Sequence, residues 1–185
     1  MTYQGNITRA SFENALTPNS LQVTRIIQLA LMAGVSIYAL CIVLIYLLNL
    51  DMHANVYEAD TVSTLTIIHL AFLFGALGAG QFLSMRIFSP RALSAPSSNV
   101  DSQVLAAMCV TQQRTAIIVR LATLESAAFF GLAVCTIGVM NGTLQALPYY
   151  WINLLSTFVL LLYGVATFPT RDRLVGWFEK RFIEQ

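Results

Sequence analysis

The chain has 185 residues, of which 57% are hydrophobic and only 10% charged; its net charge is +1 and its mean hydropathy +0.69. Soluble domains carry about 25% charged and about 45–50% apolar residues, so a water-soluble enzyme with a charged coat is excluded. The lack of any basic block excludes a nucleic-acid binder, and the apolar content excludes a disordered tail.

Residues 1–22 form a polar N-terminal segment, in which no cleavable signal is expected because the start is polar. Thr17-Pro18-Asn19-Ser20 offers a cap to a following helix. A bilayer core of about 30 Å needs roughly 20 apolar residues in a helix, and four stretches meet that length. They are residues 26–50, free of charge after Arg25; 62–87, with His69 inside; 115–140, carrying Arg120 and Glu125; and 149–168, between Pro148 and Pro169. Backbone polar groups must be satisfied inside a bilayer, so each stretch is predicted to be a helix. Asn141-Gly142 signals a turn and a short third connection. The fold class is therefore all-α: a single polytopic membrane domain over 1–185 with four transmembrane helices.

Residues 88–114 contain a Ser- and Pro-rich stretch (SPRALSAPSSNVDSQV) and read as a loop. Residues 171–185 place Leu174, Val175, Trp177, Phe178 and Phe182 largely on one helical face, predicting a short amphipathic helix. Such a helix either lies on the headgroups or packs on the bundle. Nine of the ten basic residues precede the first span, flank the second connection or follow the fourth span; the tenth is Arg120. The first connection instead holds Asp51, Glu58 and Asp60. The positive-inside rule then places both termini and residues 88–114 in the cytoplasm, in a cytoplasmic (inner) membrane. The first and third spans echo each other (IIQLALMAG against IVRLATLES), as a duplicated hairpin would.

Glu125 is the candidate ion-carrying residue. It lies 11 residues past Arg114, about 16 Å into the bilayer at 1.5 Å per residue. An intramembrane acid marks an ion pathway or proton relay by default; its structural reading is a protonated carboxyl fastening two helices. Arg120, roughly 9 Å deep, can snorkel to the headgroups as an interfacial anchor. His69 is a possible polar intramembrane partner, though it falls about 9 Å nearer the outside than Glu125. Read alone, it is a hydrogen-bonded histidine, with a haem or chlorophyll ligand as the alternative; the second histidine, His53, lies in the first connection, so two histidines inside the bilayer are not available from one chain. Small-residue spacings on the second span (Gly75 to Ala79 and Ala76 to Gly80, with Gly78) and on the third (Ala122 to Ser126 and Ala127 to Gly131) predict a close seam between the two beside Glu125. Cys41, Cys109 and Cys135 have no metal-ligand spacing and read as small apolar side chains. No metal or cofactor is expected.

Residues 62–141, with Gly75-Ala76-Leu77-Gly78-Ala79-Gly80-Gln81 on one helix and Leu121-Ala122-Thr123-Leu124-Glu125-Ser126 on the next, resemble the hairpin of the rotary ATPase proteolipid, subunit c. The resemblance implies that Glu125 occupies the position of the ion-carrying carboxylate. It departs from that family in its long second connection, its shorter glycine run and its two further helices. The expected function is that of an integral membrane protein, not an enzyme, acting in an oligomer or larger complex with other membrane subunits and handling protons or cations through Glu125. The alternative is a structural or accessory subunit in which Glu125 only packs helices.

Overall fold

The computed structural model describes residues 7–49, 56–89 and 101–183, with side chains from residue 59 in the second stretch. Every element among the described residues is helical: α1 (Arg9–Ala15), α2 (Pro18–Leu48), α3 (Val56–Ile87), α4 (Ser102–Met140), α5 (Thr143–Ala146), a 3₁₀ stretch (Pro148–Leu154), α6 (Leu155–Ala166) and α7 (Arg171–Phe182). Four segments are long and apolar enough to cross a membrane: α2, the Ala59–Ile87 part of α3, α4, and Pro148–Ala166. The chain is accordingly a multi-pass membrane protein.

The helices overrun the apolar runs that announce them. α2 starts at Pro18, where proline is tolerated in a first turn. There the Thr17 hydroxyl accepts from the Ser20 amide at 3.2 Å, so the predicted cap is present. α4 starts at Ser102, so residues 102–114, read as part of a loop, are helix. Asp101 Oδ1 accepts from the Gln103 amide at 3.1 Å, and the sequence that follows (SQVLAAMCVTQQR) contains no glycine or proline to stop a helix. The turn at Asn141-Gly142 forms as the sequence predicts. Gly142 has φ 76°, which glycine adopts without the Cβ penalty of other residues. The short α5 that follows was not expected. The N-terminal polar segment also contains a helix, α1, whose Thr8 and Ser11 cap each other's backbone in a capping box.

Contacts within the chain group it into two compact units. The first unit draws on Met1–Gln28, Gln81–Arg120 and Thr167–Gln185; the second on Leu29–Gly80 and Leu121–Ala166.

In the first unit, α7 packs on protein instead of lying free. Leu174, Val175 and Phe178 are buried, and the Phe178 ring stacks on Phe12 of α1 with centroids 4.3 Å apart. Arg9 links the same two helices, contacting Glu13 at 2.7 Å and Glu179 at 2.9 Å. Arg25 of α2 donates to the Pro169 carbonyl at 2.9 Å and lies over the Phe168 ring. Of the two readings of the amphipathic tail, packing is the one observed.

In the second unit, α4 carries much of the core, with Leu121, Leu124, Ala127, Ala128, Leu132 and Cys135 all buried. Leu73, Ala76 and Ala127 form one apolar cluster, edged by Leu77, that joins α3 to α4. Tyr38 of α2 donates to the Thr136 hydroxyl at 3.0 Å, because the Thr136 proton already serves the Leu132 carbonyl. Tyr46 of α2 and Trp151 meet edge to face at 5.1 Å.

Candidate functional site

Two polar features lie within the second unit. The first is Glu125 on α4, half-buried. Its carboxyl has no hydrogen-bond or ion-pair partner among the described residues. Ser126 beside it is exposed, and its hydroxyl turns back to the Ala122 carbonyl at 2.9 Å. Arg120 is half-buried and belongs to the first unit.

Of the small residues predicted for the seam, Ala76 and Ala127 meet, whereas Gly75, Gly78 and Ala79 do not take part. Gly75, Gly78 and Ala79 are exposed, and nothing lies within 4 Å of a Cβ built on Gly75 or Gly78. The contact uses the other side of α3, where Leu73 and Ala76 meet Ala127. Both sides of α3 carry small residues, and burial of Leu73 selects between them.

The second feature is a fully buried polar network around His69. The ring is 0% exposed, as are Asn153 and Ser156. His69 Nδ1 lies 2.9 Å from Asn153 Oδ1, and Nε2 lies 3.0 Å from Ser156 Oγ. The assignment of protons follows from the outer members. Thr66 Oγ1 donates to the Val62 carbonyl at 2.8 Å, so it can only accept from Asn153. Asn153 Nδ2 donates to Thr66 Oγ1 and to the Tyr150 carbonyl, each at 2.9 Å. Both amide protons are thereby used and Oδ1 faces the imidazole as an acceptor. Neutral His69 facing Oδ1 carries its proton on Nδ1, and the single Ser156 hydroxyl proton is shared between two acceptors, Nε2 at 3.0 Å and the Asn153 carbonyl at 3.3 Å. His69 is therefore not a partner of Glu125, because both ring nitrogens are engaged by the fourth span.

A serine, a histidine and an orienting amide at these distances also describe an activated nucleophile. The space beside it is crowded. A Cβ on Gly131 would overlap the Asn153 carbonyl and come within 2.7 Å of His69 Nε2 and Ser156 Oγ. The α4 backbone thus fills the space on that side. The Phe130 ring stands edge to face with the imidazole at 5.8 Å. The network is a clamp that ties α3 to the 3₁₀ stretch and α6, with Gly131 admitting close approach of α4.

Of the network, the sequence reading singled out only His69. The signal for the rest is present in the spacing: Thr66 and His69 on one span, and Asn153 and Ser156 on another, are polar pairs three residues apart within apolar runs. Such pairs share a helix face and can interlock.

No protein-family model, curated protein or solved structure matches this chain.

Proposed function

We propose that the chain is a subunit of a membrane assembly, non-enzymatic in itself, in which Glu125 handles a proton or cation at a contact with another subunit or a second copy. One observation carries this reading. The Glu125 carboxyl sits within a membrane-spanning helix, half-buried, with no partner among the described residues. A carboxyl that fastened helices within the chain would have a hydrogen-bond partner there. One that exchanges an ion, or meets another subunit, must stay reachable. The resemblance to the subunit c hairpin implies the same role for this position.

The charge distribution supports an orientation with both termini in the cytoplasm of a cytoplasmic membrane. By sequence position, all ten basic residues and five acidic ones fall in the first unit, a net charge of +5. The second unit holds four acidic residues and no Lys or Arg, a net charge of −4. Under the positive-inside rule the first unit is then cytoplasmic.

A hydrophobic carbodiimide tests the role of Glu125, because it modifies protonated carboxyls in apolar surroundings. Peptide mass analysis of treated membranes should find the adduct on Glu125, and a competing cation or raised pH should suppress it. The Glu125→Gln variant should fold and lack the adduct. An unmodified Glu125, or labelling indifferent to both pH and cations, overturns the ion-handling reading.

A further inference from the structure

In the first unit, the start of α2, the first half of α4 and α7 line a small cleft, open on one side, whose enclosed part has space for about one water-sized group. Ile117 and Leu174 give it apolar walls, and Ser20, Thr24, Gln113 and Arg114 supply its polar atoms. The donors among the first three are already committed. Ser20 Oγ donates to the Thr17 carbonyl at 2.7 Å, and Thr24 Oγ1 to the Ser20 carbonyl at 2.9 Å. Gln113, 2% exposed, donates through Nε2 to the Leu174 carbonyl at 2.9 Å, which fixes the amide and leaves Oε1 buried without a partner. Three oxygens therefore remain as acceptors only; of these, Gln113 Oε1 is the one that is buried without a partner, which is costly. Arg114, half-buried, has no ion-pair or hydrogen-bond partner among the described residues.

A ligand for this cleft must bring several N–H or O–H donors to the oxygens and a negative group to Arg114. Water offers two donors and no charge for the guanidinium. A bare metal ion suits the oxygens and is repelled by Arg114. A free phosphate suits Arg114 and is repelled by the oxygens. A primary ammonium two carbons from a phosphate satisfies both, with three N–H donors for three acceptors. Thr24 and Arg114 each stand next to an apolar run, before Ile26 and Thr115. Headgroups lie at that level of a membrane protein.

We propose that this cleft binds the phosphoethanolamine headgroup of a membrane phospholipid. The ammonium meets Gln113 Oε1, Ser20 Oγ and Thr24 Oγ1, and the phosphate meets Arg114. The site is independent of the role proposed for Glu125.

Native mass spectrometry of the full chain in mild detergent tests the proposal. The protein is titrated with phosphatidylethanolamine, phosphatidylcholine and phosphatidylglycerol of identical acyl chains. Phosphatidylethanolamine should be retained about tenfold better than the other two, the effect of losing one charge-assisted hydrogen bond. Phosphatidylcholine has no N–H donor, and phosphatidylglycerol has no ammonium. Arg114→Met and Thr24→Val should each bring phosphatidylethanolamine down to the phosphatidylcholine level. Ser20→Ala keeps the test open if either of those fails to fold. Free phosphoethanolamine should not displace the lipid at equal concentration, since it lacks the apolar part that the cleft walls receive. Equal retention of the three lipids, a preference for phosphatidylglycerol, no loss in the variants, or displacement by the free headgroup each overturns the assignment.

Discussion

A methyl group at Gly131 would overlap the Asn153 carbonyl and crowd His69 Nε2 and Ser156 Oγ, atoms held by their own hydrogen bonds. The neighbours cannot give way without breaking the clamp. Gly131→Ala should therefore destabilise the protein by about 1–3 kcal/mol, the usual cost of overpacking. Gly75→Ala and Gly78→Ala meet open space and should be neutral or stabilising by up to about 1 kcal/mol, from helix propensity. Thermal unfolding of the three variants in one detergent distinguishes them; a Gly131→Ala variant as stable as Gly75→Ala would show that α4 does not press on the network. Glu13 gives a second contrast. Its carboxyl is held below the ordinary value of 4.5, first by the hydrogen bond from Arg9. For an acid whose folded value is depressed, the contribution is present above 4.5 and fades as pH falls through the lower folded value. Glu13→Gln should thus differ slightly from the unmodified chain at pH 7, and the difference should narrow steadily as the pH is lowered below 4.5. The difference should also shrink with salt, because both groups are exposed to water. A gap that does not narrow on acidification would point to packing instead of charge.

At the scale of elements, the clamp makes a prediction about one proton. The chain of hydrogen bonds that ends on the Val62 carbonyl, donated by Thr66 and before it by Asn153, requires neutral His69 to be protonated on Nδ1. Nitrogen-15 spectra of histidine-labelled protein at neutral pH should show Nε2 as the bare nitrogen of this ring. The opposite tautomer would mean that Asn153 sits flipped and the chain of donors is broken. A double-mutant cycle of His69→Ala and Asn153→Ala should give a coupling of about 0.6–1.7 kcal/mol, as interhelical hydrogen bonds in membranes do. The sequence made the four spans legible because an apolar run of about 20 residues has few other uses. The ends were less legible. α4 begins 13 residues before its apolar run because Ala, Gln and Met favour a helix in water as well as in lipid. Which face of α3 packs was not legible at all. Gly75, Gly78 and Ala79 on one side and Ala76 and Gly80 on the other offer the same small-residue spacing. The distinction comes from what stands opposite, Ala127 against Leu73, and a single helix does not carry that information. The partner of His69 was hidden for the same reason, since Asn153 lies 84 residues away.

For the whole molecule, the unequal charge of the two units bears on how the chain lies in a bilayer. The two units are distinguished by packing and not by charge, yet by sequence position all ten Lys and Arg residues fall in one of them. The first connection is acidic, with Asp51, Glu58 and Asp60, and residues 141–148 carry no charge. Basic residues near span ends resist translocation whereas acidic ones contribute little, so the distribution favours the first unit inside. The proposed topology can be read by labelling single cysteines in intact cells, after Cys41, Cys109 and Cys135 are replaced by serine or alanine. A membrane-impermeant thiol reagent should label Glu58→Cys and Gln145→Cys in whole cells. Ser97→Cys and Gln185→Cys should label only after the membrane is opened. The four sites must behave as two pairs, because an even number of spans separates Ser97 from Gln185 and also Glu58 from Gln145. Labelling of Ser97→Cys from outside together with Gln185→Cys would invert the orientation and leave the span count intact. Labelling of one without the other would break the count itself, and the fourth span would be the first suspect. Its Pro148–Leu154 portion is a 3₁₀ stretch, and its α-helical part, Leu155–Ala166, has only 12 residues, about 18 Å at the α-helical rise of 1.5 Å per residue.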